Sequence, residues 1–90
     1  MAYKARLTVK SVAGYCSAGH KVGETFITDG VTIKGEQGQG ICIFAVPSLI
    51  PYLTAYCRET PESDWINKLS ELQCPDSTNT VKFSIERVAE

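Results

Sequence analysis

Four cysteines and a single histidine are the side chains of this sequence best suited to bind a metal or to act as nucleophiles. Cys16 and His20 are the closest pair, four positions apart in the polar segment 16–20. Gly19 precedes the histidine and allows the backbone to turn back. A loop of this kind can direct the thiol of Cys16 and the imidazole of His20 toward one point.

Two further cysteines lie at the boundaries of predicted elements. Cys42 follows the glycine-rich segment 38–40, and Cys74 precedes Pro75. Cysteines that only fill a core belong on apolar faces of strands and helices, whereas these accompany glycine or proline at turns. We therefore predict one Cys3His site, with the type and number of ligands of a tetrahedral zinc site or of an iron–sulfur cluster with one imidazole ligand. Its ligands are Cys16, His20, Cys42 and Cys74.

The spacing of these residues is weaker evidence than paired Cys-x2-Cys motifs, so two alternatives stay open. In the first, Cys16 is the nucleophile of an enzyme and His20 is its base. In the second, the thiols are incidental and an aromatic surface with Tyr52, Tyr56 and Trp65 binds a partner. Cys57 follows a helical stripe and is expected to be a small buried apolar side chain.

The elements that must position these side chains include three strands. Alternating apolar and charged residues predict strands over 3–12 and 80–88. A third strand is predicted over 24–29, where β-branched and aromatic residues lie between glycines, and residues 31–33 could extend it.

One main helix is predicted near 43–57, where apolar residues recur at helical spacing. The stripe consists of Leu49, Tyr52, Leu53 and Tyr56. Pro47 and Pro51 predict that the helix begins or bends at one of them, because proline lacks an N–H. Asp64 is expected to cap a short turn, and 66–72 suits either a helix or a strand.

Together these elements predict a single α+β domain over 1–90. Its small antiparallel sheet has three to five strands, with the terminal strands as neighbours and the helix packed on one face. The metal site is expected at one end of the sheet, where three loops meet.

The net charge and the hydropathy of the sequence argue against two classes of partner, nucleic acid and the membrane interior. Nine Lys and Arg against ten Asp and Glu give a net charge of −1 and a pI of about 5.8, which argues against nucleic acid. The least charged stretch, 38–57, contains prolines and glycines and does not suit a membrane span. Without an apolar leader, the chain is expected in the cytoplasm, where disulfides are rare.

Three segments resemble a family of small uncharacterised Cys/His proteins of anaerobic bacteria and archaea. They are 16–26 (CSAGHKVGETF), 40–42 (GIC) and 74–76 (CPD). The resemblance covers most of the chain except 58–72. It implies that Cys16, His20, Cys42 and Cys74 belong together and that Cys57 does not. The resemblance implies no particular activity. Because the family occurs in anaerobes, an iron–sulfur cluster is a serious alternative to zinc. The domain is then expected to be an accessory or electron-transfer subunit of a larger enzyme, or to self-associate, rather than to catalyse alone.

Overall fold

The computed structural model describes residues 2–88. In these residues five strands form one antiparallel sheet in the order β3-β2-β1-β5-β4, accompanied by one α-helix and a short 3-10 helix. The elements are β1 (Lys4–Val12), β2 (Thr25–Thr28), β3 (Ile33–Gly35), α1 (Ala45–Tyr56), the 3-10 helix Trp65–Lys68, β4 (Glu71–Gln73) and β5 (Val81–Val88). The predicted α+β class is confirmed.

The two terminal strands are neighbours, as predicted. β1 pairs with β5 so that Leu7 lies opposite Ile85 and Val9 lies opposite Phe83. Alternate residues of both strands are buried, because successive side chains of a strand point to opposite faces. The charged residues between them point to the other face.

The expected extension of the third strand through 31–33 is wrong. β2 ends at Thr28, and the chain reverses so that Ile33 pairs back with Thr28 in a separate strand, β3. The reversal depends on Gly30, whose φ of 92° is favourable only for glycine. Asp29 fixes it, because its Oδ1 accepts the N–H groups of Val31 and Thr32 at 2.9 and 2.8 Å.

Helix α1 is slightly shorter than the predicted 43–57, and it buries Ala45, Leu49, Leu53 and Tyr56. Pro47 is tolerated because it lies in the first turn, where N–H groups have no partner within the helix. Pro51 lies inside the helix and removes one hydrogen bond there. Cys57, at the end of α1, is fully buried, as expected from the sequence.

The segment that the sequence left ambiguous contains both kinds of element. Asp64 is the N-cap of the 3-10 helix and accepts the N–H of Ile66 at 3.0 Å, as predicted. Strand β4 follows and pairs with β5 at the edge of the sheet. Between residues 2 and 88, no helix has the length and apolar character needed to cross a membrane.

The strand directions bring several chain segments to one end of the sheet. β1 and β4 end there, and β2 and β5 begin there, because neighbouring strands are antiparallel. Three connecting segments therefore meet at this end: 13–24 after β1, 36–44 before α1, and 74–80 after β4.

Candidate metal centre

A cleft of about 400 Å³ lies where these three segments meet. Its walls include all four predicted ligands: Cys16, His20, Cys42 and Cys74. The remaining walls are largely apolar or polar without charge, with Tyr15 and Phe44 among them. The structure thus brings together residues that are up to 58 positions apart in the sequence, whereas their role as metal ligands stays a prediction.

Cys16 reaches the cleft from a tight turn between β1 and β2. The carbonyl of Cys16 accepts the N–H of Gly19 at 2.9 Å, and Gly19 has a φ of 73°, in the left-handed region. In this turn the Cys16 side chain is half-buried. His20, which follows Gly19, is buried in the interior.

Cys74 lies directly after β4, and its sulfur is hydrogen-bonded to β5. The N–H of Val81 donates to Sγ of Cys74 at 3.2 Å, while the N–H of Cys74 donates to the carbonyl of Val81 at 3.0 Å. Hydrogen bonds to sulfur are one of the ways in which proteins tune a metal–thiolate centre. Cys74 is therefore held in a fixed place at the wall of the cleft.

The turn after Cys74 is stabilised by Asp76. Its Oδ1 accepts the N–H groups of Thr78 and Asn79, both at 2.9 Å. These bonds, that from Asn79 foremost, lower the pKa of the Asp76 carboxyl below its usual value, because they favour the charged form. A negative charge is thus built into the rim of the cleft.

Cys42 precedes the first turn of α1. Its carbonyl accepts the N–H groups of Ala45 and Val46 at 3.0 and 3.2 Å. The N-cap residue, Phe44, makes no side-chain cap, and the first turn of the helix contains no acidic residue. The Cys42 carbonyl thus occupies the first two N–H groups of α1, and Pro47 contributes none.

His20 is buried, and both of its ring nitrogens are bonded to the protein. Nε2 lies 3.1 Å from the backbone nitrogen of Cys42, and Nδ1 lies 2.9 Å from Oε1 of Glu24. Because the Cys42 N–H can only donate, Nε2 must accept, and the ring proton is therefore on Nδ1, where it donates to Glu24. The rings of Phe26 and Phe83 contact His20 edge-on, at centroid distances of 5.4 and 6.3 Å.

Two residues of the site, Glu24 and Asn79, were not predicted from the sequence. Glu24 follows His20 by four residues, but this spacing brings side chains together only on a helix, and 20–24 is not helical. Asn79 joins two walls of the cleft, since its Oδ1 accepts the N–H of Tyr15 at 2.8 Å. Nothing local in the sequence distinguishes it from an ordinary turn asparagine.

All four cysteines are thiols rather than disulfides. Within residues 2–88, the histidine, cysteine, aspartate and glutamate side chains form no group of three or more that is already arranged to hold a metal ion.

The geometry disfavours both alternative interpretations. Both ring nitrogens of His20 have partners other than Cys16: Nε2 accepts from the Cys42 N–H, and Nδ1 donates to Glu24. Of the aromatic residues expected at an interface, Tyr56 is only 5% exposed and belongs to the core. Trp65 is 62% exposed and packs edge-on against Tyr52, which is partly buried, so Trp65 is the most accessible of the three.

Comparison with known proteins adds no relative. No family model, curated protein or solved structure matches this chain. The resemblance of segments 16–26, 40–42 and 74–76 to the small Cys/His proteins stays a prediction. What the chain does must therefore be inferred from the cleft.

Proposed function

We propose that this protein is a metal-binding domain in which the thiolates of Cys16, Cys42 and Cys74 hold zinc or an iron–sulfur cluster. One observation carries the proposal: three sulfurs from three separate connecting segments line a single cleft. Cys74 belongs to the buried core and Cys16 and Cys42 pack against it, and both metals are bound by cysteine thiolates.

The electrostatics of the cleft support this assignment. Three thiolates concentrate negative charge, and N–H groups that donate to sulfur offset part of it. The N–H of Val81, which donates to Sγ of Cys74, makes such a contact. The backbone thus supports electron-rich sulfur at the Cys74 position.

Size and surroundings bear on the role of the centre. A volume of about 400 Å³ is within the range of small-ligand sites, so the cleft has room for a polynuclear cluster as well as for a single ion. Ile43 and Phe44, beside Cys42, are 76% and 71% exposed. An electron-transfer or accessory role beside a larger redox enzyme would give these apolar side chains a partner surface to contact.

The test is anaerobic purification followed by analysis of metal and acid-labile sulfide. The wild type is compared with Cys16→Ser, Cys42→Ser and Cys74→Ser. We expect each variant to lose metal. A brown protein with broad absorption and sulfide indicates a cluster, whereas a colourless protein with zinc indicates a mononuclear site.

Cys57→Ala is the matched control. Cys57 lies at the opposite end of α1 from the cleft, roughly 18 Å along a helix of this length. It should keep a full complement of metal, and circular dichroism must show that every variant is folded. A wild type without metal after anaerobic loading, or equal metal in all four variants, would overturn the proposal. Reduced thiols are maintained in the cytoplasm, the compartment we propose for the domain.

A further inference from the structure

The hydrogen bonds of His20 indicate that its role differs from that of the three cysteines in the same cleft. Its Nδ1–H bond to Glu24 alone fits a metal ligand, because ligating histidines commonly donate their second nitrogen to a carboxylate. Its Nε2 is the nitrogen left for a metal. That nitrogen already accepts the backbone N–H of Cys42.

Turning His20 toward a metal would carry several costs. The Cys42 N–H, whose bond to Nε2 is part-buried, would lose its acceptor, and an unsatisfied donor away from water is unfavourable. The side chain of His20 is only 3% exposed and is contacted edge-on by Phe26 and Phe83, so the ring has little space to rotate. The bond to Glu24 would be strained or broken as well.

From this geometry we infer that His20 is a positioning residue and that the metal has three thiolate ligands, with a fourth coordination position open to a neutral external donor. The inference rests on the proposed metal site. His20 acts through the backbone of Cys42: its Nε2 holds the segment that leads into α1, while its ring packs against Phe26 and Phe83. The cysteine thiols remain to bind the metal.

The volume and charge of the cleft specify the external donor. Structural zinc sites have four protein ligands, whereas sites that bind an external ligand have three and an open position. A single ion fills a small part of about 400 Å³, which leaves room for a small molecule. Three thiolates on a divalent ion leave one net negative charge, and the acidic side chain of Asp76 lines the same cleft.

No lysine or arginine is present among the described residues that line the cleft. An anionic ligand would therefore meet uncompensated negative charge, whereas a neutral nitrogen or sulfur donor would not. Tyr15 and Phe44 offer apolar contact to such a molecule.

The coordination shell is tested on wild-type full-length protein loaded anaerobically with zinc, by X-ray absorption at the zinc edge. We expect three sulfur neighbours and one light atom, without the outer-shell scattering of an imidazole. An imidazole shell would overturn the inference and leave the proposed metal site intact. Failure to bind zinc or a cluster at all would overturn the proposed function and this inference with it.

Two substitutions of His20 separate a positioning role from ligation. His20→Gln places an amide oxygen that can accept the Cys42 N–H, and His20→Leu fills the space without an acceptor. With cobalt as the probe, we expect His20→Gln to keep the visible and charge-transfer spectrum of the wild type. We expect His20→Leu to weaken affinity on the order of 10–100-fold, as loss of an outer-shell contact does. A changed spectrum in a folded His20→Gln would contradict the positioning role.

The open position is tested by adding neutral imidazole, or acetate at equal concentration, to the cobalt protein above pH 7.5. We expect imidazole to change the ligand-field bands and acetate to have little effect. If imidazole leaves the bands unchanged, the fourth position is closed. If acetate binds as well as imidazole, the preference for a neutral donor is wrong.

Discussion

Asn79 accepts the backbone N–H of Tyr15 at 2.8 Å, which joins the segment that carries Cys16 to the segment that carries Cys74. The two residues are 64 positions apart in the sequence. A second bond beside it, from the N–H of Ala13 to the carbonyl of Thr80 at 2.9 Å, continues the contact at the base of both segments. Two walls of the cleft are therefore fixed by backbone-directed hydrogen bonds before any ligand is present.

Asn79→Ala should loosen the cleft. Removing the acceptor of the Tyr15 N–H is expected to lower the free energy of unfolding by about 1 kcal/mol, the usual value of such a bond. Metal affinity should also fall, because Cys16 and Cys74 are no longer held at a fixed separation. Urea denaturation of the metal-free protein and zinc titration measure the two effects.

Asn79→Asp is the matched control, because its carboxylate oxygen can still accept the Tyr15 N–H. It should recover most of the stability that Asn79→Ala loses. If Asn79→Ala matches the wild type in both measurements, the link between the two segments contributes nothing to the site.

The carboxyl of Asp76 predicts a dependence of stability on pH. The N–H groups of Asn79, first, and Thr78 lower its pKa in the folded protein below the unfolded value of about 3.9. Folding therefore favours the charged form. Its contribution to stability is present above the unfolded pKa and is lost as pH falls through the folded pKa.

Asp76→Asn keeps an oxygen acceptor in the turn but removes the titration. The free energy of unfolding of the wild type minus that of Asp76→Asn should therefore shrink as the pH of the urea titrations is lowered from 6 to 3. A difference that stays constant over this range would show that the turn does not favour the charged carboxyl.

Gly30 allows a comparison between two glycines. At Gly30 the φ of 92° penalises any L side chain, so Gly30→Ala should destabilise the protein by about 1–3 kcal/mol. Gly40 is not in the positive-φ region, and a Cβ there would meet nothing within 4 Å. Gly40→Ala should therefore be neutral or stabilise by up to about 1 kcal/mol, because it restricts the unfolded chain.

Thermal unfolding of the two variants and the wild type, without metal, makes this comparison. Equal melting temperatures for Gly30→Ala and Gly40→Ala would mean that the reversal between β2 and β3 does not need a glycine.

The strands could be predicted from the sequence wherever the pattern was strictly local. Leu7 and Val9 alternate with charged residues, so one face of β1 had to be buried, and the same holds for Phe83 and Ile85 in β5. The reversal at Gly30 was missed because β-branched residues continue on both sides of it. Strand propensity alone does not predict a left-handed backbone at one glycine between two β-branched segments.

The cleft was predictable only in part. Cys42 and Cys74 beside glycine and proline placed thiols at turns, and antiparallel pairing then brings those turns to one end of the sheet. The bond between His20 and Cys42 could not be read from the sequence, because it joins segments 22 positions apart through a backbone group that every residue has. It is from this bond that we infer a positioning role for His20.

Removing the metal should lower the thermal stability of the protein. A ligand that binds only the folded state stabilises it by RT ln(1 + [L]/Kd), about 2.7 kcal/mol at a hundredfold excess over Kd. For a domain of this size that corresponds to a rise in Tm on the order of 10 °C, and a chelator should reverse it. Calorimetry of zinc-loaded and chelator-treated wild type measures the shift.

Cys74→Ser and Cys57→Ala distinguish the stabilisation by bound zinc from the stability of the metal-free fold. Cys74→Ser should show the same Tm with and without zinc, because one of the three thiolates is missing. Cys57→Ala should melt lower than the wild type in both states, since it removes a fully buried sulfur from the core, but the increment from zinc should be unchanged. If zinc stabilises Cys74→Ser as much as the wild type, the metal binds elsewhere and the cleft is not its site.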